Sequence, residues 1–223
     1  MNSQLRTRWL GRISFPIALA LQERILQEKR IDSTASDELL LLEHDPVYTI
    51  GRTPDQSSLR GAKHLPHPVF EINRGGQATY HGPGQLVGYF LLDLRRYGQD
   101  LHRYLRWVET LLIELLAHYE IQATTREGLT GVWIGNRKIG SIGVGVRHWI
   151  TMHGFALNVC GDLSPFSSIA PCGLTDVTMT SMESETGVAN QMEHVARKTA
   201  ELAQGGLRLL QNAMPSTAPL AVL

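Results

Sequence analysis

Cysteine and lysine are the scarce residues here: Cys160 and Cys172, and Lys29, Lys63, Lys138 and Lys198, in a chain of 223 residues. Two cysteines exclude a zinc site built from cysteines alone and a disulfide-built scaffold, and nothing in their placement calls for an oxidising compartment. Net charge is missing too. The 21 basic and 21 acidic residues cancel, so the overall basic excess typical of proteins that bind nucleic acid through its phosphates is absent. No apolar run approaches the roughly 18 residues of a membrane span. MNSQLRTRWLGRISFP carries arginines with no continuous apolar stretch behind them, so no secretory signal is expected and the cytoplasm is the expected compartment. The nine histidines never form HxH or HExxH, which leaves no zinc-ligand spacing.

At 43% hydrophobic and 19% charged, the chain has the composition of a folded globular protein, long enough for one substantial core. Helices are expected at 16–30, with Pro16 in the first turn and Ile17, Leu21 and Ile25 as its apolar stripe, and at 100–119. In the second, Leu101, Leu105, Val108, Leu112, Leu115 and Tyr119 make the stripe, with Glu109 off it. Extended runs are expected at 38–51, broken at Asp45-Pro46, and at 68–73, 86–94 and 149–159. The stretch 131–146 reads as two strands around Gly135-Asn136. Loops are expected at 52–67 and 161–176. Thr180 and Glu183 fit a capping box ahead of a helix at about 189–212, and the tail 215–223 is expected to fray. Strands in hairpin-like groups point to an α/β (α+β) fold with a mixed sheet flanked by helices. It is read as one domain over 1–223, with its motifs at about 38–182.

Three segments carry chemistry. RGGQATYHGPGQLVGY (74–89) holds five glycines, which let the backbone take positive φ and let a ligand approach it closely. A tight turn would explain Gly82-Pro83-Gly84. It would not explain Arg74, Gln77, Thr79, His81 and Gln85 together, so a binding wall is the better reading. In NRKIGSIGVGV (136–146), the ordinary reading of Lys138 is a solvated strand-edge lysine. Yet Arg137 beside it could supply a fixed cation, and only lysine changes protonation near neutrality when buried. The glycines after it would make room for a substrate. In SIAPCGLTDVTMTSM (168–182), Cys172 sits between Pro171 and Gly173 in a loop, unlike Cys160, which closes an apolar run and reads as core. A nucleophilic thiolate there needs a cation or base, for which His81, His153 and Lys138 are available.

Together these segments resemble the lipoyl(octanoyl) transferases, the octanoyl-[acyl carrier protein]–protein N-octanoyltransferases. RGGQATYHGPGQLVGYFLLDL, KIGSIGVGVRHWITMHGFALNV and PCGLTDVTMTSM are similar to that family's three motifs in order. Phe90 and Gly145 are the small departures. The resemblance implies a fold related to the catalytic module of biotin and lipoate protein ligases. It also implies transfer of an octanoyl group from acyl carrier protein to a lysine of lipoyl domains, those of 2-oxoacid dehydrogenase complexes and the glycine cleavage H protein. By the same resemblance, Cys172 is the acyl-thioester nucleophile and Lys138 the residue that lowers its pKa. Arg74, Gly75, Gly76, Gln77, Ala78, Thr79, Tyr80 and His81 line the acyl substrate, with Ser141, Ile142 and Gly143 and with Gly154, Phe155 and Ala156. His81 and Thr79 are expected to position groups rather than move protons.

No ATP, metal or other cofactor is implied, and neither a nucleic-acid nor a membrane partner; a monomer is expected. Strands 139–146 and 154–159 would bound an acyl tunnel, with Arg95, Arg137 and Arg147 as guesses for a patch facing the acidic carrier. The rival readings are an ATP-dependent lipoate or octanoate ligase on the same fold, an amidotransferase between lipoyl domains, and a catalytically silent acyl-binding module.

Overall fold

The computed structural model describes residues 5–52, 65–169 and 177–212. Among these, strands β1 (Arg6–Ile13), β2 (Glu38–His44), β6 (Gln85–Leu91), β7 (Thr124–Arg126), β8 (Leu129–Ile134), β9 (Arg137–Arg147) and β10 (Ile150–Asn158) form a large mixed sheet in the order β1-β2-β6-β10-β9-β8-β7. Strand β11 (Thr178–Met179) pairs parallel with β9, placing Met179 opposite Lys138. A small second sheet runs β4-β3-β5, from β3 (Val47–Ile50), β4 (Val69–Glu71) and β5 (Ala78–His81). The turn at Asp45-Pro46 therefore sends the chain from one sheet to the other, where the sequence suggests a second extended run and no more.

Alternation along β2, β6 and β10 sorts side chains onto two faces. Leu39, Leu41, Leu86, Phe90, Phe155 and Leu157 pack under helices α2 (Leu101–His118) and α4 (Met192–Asn212). Leu40, Leu42, Val87, Tyr89, Leu91 and Ala156 face helix α1 (Phe15–Ile31). Asp100 caps α2 by accepting the Arg103 N–H at 3.0 Å. Strand β1 has no clear sequence signal. It lies parallel to β2 at one end of the sheet order, with a register shift between Trp9 and Arg12 around the left-handed Gly11. Both features blunt a sheet edge against further pairing.

Several expectations are corrected. The buried face of α1 is Phe15, Ala18, Gln22, Ile25, Leu26 and Lys29, whereas Ile17 is 62% exposed. Two polar residues sit on that face because each has a buried partner. Gln22 Oε1 accepts the His153 backbone N–H at 2.8 Å, and Lys29 Nζ donates to Asp37 at 2.8 Å. Glu109 is likewise buried rather than solvated, accepting the Gly131 N–H at 3.0 Å and pairing with Arg106 at 2.7 Å. The cap near 180 is Ser181, one residue later than expected. Its hydroxyl accepts the Ser184 N–H at 3.1 Å and opens the short helix α3 (Met182–Thr186). Trp149, expected to open an extended run, lies instead in the β9–β10 turn with His148, both at positive φ. The tail 215–223 lies outside the described residues.

The Lys29–Asp37 pair ties α1 to the sheet. Asp37 also accepts the Asp93 N–H at 2.9 Å and the Tyr97 hydroxyl at 2.8 Å, so its carboxylate holds three segments. Removing the cation leaves a buried carboxylate that only the more distant Arg96, at 3.4 Å, helps to balance. Lys29→Met should cost about 3 kcal/mol in urea unfolding, read as a lower midpoint with an unchanged slope. A loss below about 1 kcal/mol would show that the pair contributes little.

Candidate active site

The glycines of the central strands are there for close approach of the chain to itself. Gly143 faces the Arg74 side chain, whose Cδ would lie 2.8 Å from an added Cβ. At Gly145 and Gly154 a Cβ would press on the backbone carbonyls of Asn73 and Gly88, and at Gly88 it would run into the Phe155 ring. Thus Gly143 and Gly145 make room first for residues 73–75, and only through them for a ligand. Gly75 donates its N–H to the Val144 carbonyl at 3.0 Å, which fastens the glycine-rich segment onto β9.

This docking closes a cavity between β5 and the facing parts of β6, β9 and β10. Its walls include Arg74, Gly76, Gln77, Ala78, Thr79, His81, Lys138, Ser141, Ile142, Gly143, Gly154, Phe155 and Ala156. Thirteen positions singled out in the sequence therefore meet around one space. Two do not join them. Gly75 faces a neighbouring groove, and Tyr80 points into the apolar cluster of Tyr48, Phe166 and Ile169. The sequence reading misses Phe15, Ile72 and Tyr89, which also line the cavity. Tyr89 ends the glycine-rich motif and could be found there; Phe15, the first residue of α1, gives no signal.

Lys138 is 1% exposed, so it is not the solvated edge lysine of the ordinary reading. Its ammonium donates to the Thr130 carbonyl at 3.2 Å and lies 5.0 Å from the centre of the Trp133 ring. Gly131, at φ +131, leaves the space for this side chain. A Cβ there would lie 2.8 Å from Lys138 Cε. The Glu109 carboxylate, by accepting the Gly131 N–H, fixes that stretch of β8 from α2.

A chain of hydrogen bonds runs behind the cavity. His81 Nδ1 donates to Gln85 Oε1 at 2.8 Å, and Gln85 Nε2 donates to Asn158 Oδ1 at 2.9 Å. Asn158 Nδ2 donates to the Thr180 carbonyl at 2.9 Å, and the Thr180 N–H reaches the Lys138 carbonyl at 3.0 Å. On the other side, Arg74 donates to the Thr49 carbonyl at 2.8 Å and hydroxyl at 3.0 Å. Burial, with His44 and Arg74 nearby, holds His81 down to about 3, and burial with Arg74 and Arg147 holds His153 to about 4. His44, bonded to the Tyr89 hydroxyl at 2.7 Å, is lowered to about 4, chiefly by burial. These rings are neutral at pH 7. With Nδ1–H given to Gln85 and Nε2 facing the Thr49 hydroxyl at 3.4 Å, His81 is built to orient its neighbours.

Cys172 lies outside the described residues. The described chain stops at Ile169, buried against the small sheet, and resumes at Val177, two residues before Met179 pairs with Lys138. Burial and the carboxylates Glu183 and Glu43 push the Cys160 thiol up, which makes it a poor nucleophile. Of the arginines guessed as a patch, Arg137 pairs with Glu185 at 2.7 Å and Arg95 with Asp93 at 2.6 Å. Arg147 is exposed beside His153. Among the described residues no group of three or more His, Cys, Asp or Glu could hold a metal, and no helix is long and apolar enough to cross a membrane.

The mixed sheet flanked by helices is a fold shared with lipoate-protein and biotin protein ligases. The solved structure titled lipoate-protein ligase A bound with ATP superposes with TM-score 0.72 at 17% identity, covering 93% of this chain and 86% of that one. A biotin protein ligase from Aquifex aeolicus gives TM-score 0.55 at 15% identity, over 93% and 71%. At these identities they show the fold alone. The chain belongs to the lipoyl protein ligase A/B catalytic domain family, whose model matches residues 15–203. Within it, an octanoyltransferase of Geotalea uraniireducens is 49% identical, over 89% of this chain and 91% of its own length. One of Pelobacter propionicus is 45% identical over 95% and 98%.

The neutral histidines carry a pH signature. Each has a folded-state value below the usual 6.5, so the unfolded chain takes up the extra proton first as pH falls. The stability that rests on the neutral rings is complete above about 6.5. It drains away between there and about 3 to 4, at up to ~1.4 kcal/mol per pH unit per ring. Urea unfolding should therefore show a clear loss from about pH 7.5 to 5.5, reduced in His44→Gln. A flat profile would contradict burial of neutral rings.

Proposed function

We propose that the protein is an acyltransferase that moves an octanoyl group from acyl carrier protein to a lysine of lipoyl domains, through a thioester on Cys172 assisted by Lys138. The observation that carries this is the burial of Lys138 in the wall of the same apolar cavity that the glycine-rich segment closes. The names of the 45–49% identical relatives support the reaction. The pairing of Cys172 with Lys138 is supported by sequence distance: Cys172 is three residues from Ile169, a reach of at most ~11 Å, and the chain meets Lys138 again at Met179.

In this reading the Lys138 ammonium favours the Cys172 thiolate, whose sulfur attacks the octanoyl carbonyl. The bond to the pantetheine sulfur breaks, and the departing thiolate takes a proton from the Lys138 ammonium, which leaves the lysine as a neutral amine. The amine of the lipoyl-domain lysine then attacks the Cys172 thioester; the carbon–nitrogen bond forms, and sulfur leaves as the amine's proton passes to Lys138. A thioester is already activated, so ATP, metal and other cofactors have no step to perform. The apolar walls from Phe155, Ala156 and Ile142 hold the acyl chain at ~0.8 kcal/mol per buried CH2, so neighbouring chain lengths are separated only weakly. The neutral His81 and Thr79 orient the carbonyl. The reaction and its partners fit a cytoplasmic protein.

Intact mass after incubation with octanoyl-acyl carrier protein, without ATP, tests the reading. Wild type should gain one octanoyl group and Cys172→Ala none. Lys138→Arg, which keeps a cation but cannot accept the proton, should slow transfer to a lipoyl domain by about 10²-fold or more. Modification of a lipoyl domain only when ATP and free octanoate are supplied would make the protein a ligase. Full activity in Cys172→Ala would remove the acyl-enzyme.

A further inference from the structure

Lys138 stands in the wall of two spaces. Across the ridge made by Gly76 and Gln77 from the acyl cavity lies a second, more open groove that also contacts Lys138, Ile142 and Gly143. Its far walls are Leu101 and Leu105 on α2, Leu129 and the Trp133 ring on β8, and Val144 on β9. Leu101 and Leu105 begin the apolar stripe of α2, yet they do not enter its core face. That face starts at Tyr104 and Val108, and Leu101 remains 37% exposed. Two leucines one turn apart, ~6 Å along the helix, thus line a groove instead of the core.

We infer that this groove seats the thiol arm of the acyl donor, the pantetheine chain that carries the octanoyl group in on its sulfur. The inference rests on the octanoyl-transfer reading above and deepens it. A thioester extends two ways from its carbonyl. With the acyl tail in the inner cavity and the carbonyl beside Lys138, the thiol side leaves through the other space that shares this lysine. The lining suits such an arm. Leucine and valine surface meets its methylene and gem-dimethyl segments, and the half-buried Thr130 and Gln77 supply polar atoms for its amides. A lysine side chain from the acceptor has four methylenes and no amide, and would leave the apolar wall along α2 unused.

The test compares acyl-enzyme formation from octanoyl-pantetheine and from octanoyl-N-acetylcysteamine, which lacks the outer arm, in wild type, Leu101→Trp and Leu105→Glu. Leu101 is at the surface, so its variant fills the groove without emptying the core, and thermal melts of both variants verify folding. The wild-type preference in kcat/KM for the longer donor should fall by about tenfold or more in both variants. An unchanged preference in both would overturn the proposal. So would an unchanged preference accompanied by slower transfer from pre-acylated enzyme to a lipoyl domain, since the groove would then serve the acceptor. Wild-type protein that gains no octanoyl mass from any thioester would fail differently, by removing octanoyl transfer itself and the groove's occupant with it.

Discussion

The architecture of the site depends on one close approach, that of residues 73–75 to strand β9. The Gly75 N–H to Val144 carbonyl bond is possible because Gly143 and Gly145 present no side chains where the Arg74 stem and the Asn73 carbonyl must lie. This contact clamps the small sheet to the large one and turns two facing surfaces into a cavity. Arg74 then reaches back to Thr49 on β3, so a buried guanidinium links the loop to the small sheet. A methyl group at position 143 would press on Arg74 at its Cδ, and neither side has slack to give.

Around that cavity, burial divides the titratable groups by kind. His44, His81 and His153 are all driven toward the neutral form, in a region where Arg74 already supplies a buried positive charge. Lys138 is placed differently. Its ammonium has the Thr130 carbonyl and the π face of Trp133, whose ring also lies 5.0 Å from the Arg126 guanidinium. The imidazoles are neutral, while the Lys138 ammonium is held by a carbonyl and a ring face. The hydrogen-bonded line from His81 to the Lys138 carbonyl keeps both residues in register.

Most of the cavity wall is legible in the sequence because its chemistry is local. Dense glycines interleaved with polar residues mark 74–85, and the single lysine beside Arg137 marks 138. What cannot be read is what depends on distant partners. Periodicity puts Ile17 on the buried face of α1, since it counts apolar residues and cannot know that Lys29 meets Asp37 or that Gln22 meets the His153 backbone. It sets Glu109 among solvated residues for the same reason. Strand β1 escapes a sequence reading because its arginines and tryptophan make no clean alternation and its pairing is parallel, with β2 some thirty residues on. Tyr80 looks like part of the wall from its place between Thr79 and His81; alternation along β5 turns it to the other side, into the core of the small sheet.

The thinness of the glycine-rich segment explains why one lysine can serve two spaces. That segment crosses β9 as a narrow ridge, because Gly75 and Gly76 carry no side chains to widen it. The cavity and the leucine-lined groove share Gly76, Gln77, Lys138, Ile142 and Gly143 in their walls. A bulkier ridge would separate them and leave the lysine facing only one. The proposed reaction, which holds an apolar chain on one side of a carbonyl and releases a thiol on the other, would use both spaces. In the proposed reading, the glycines that first fasten the loop to the sheet also let both arms of a thioester reach the same ammonium.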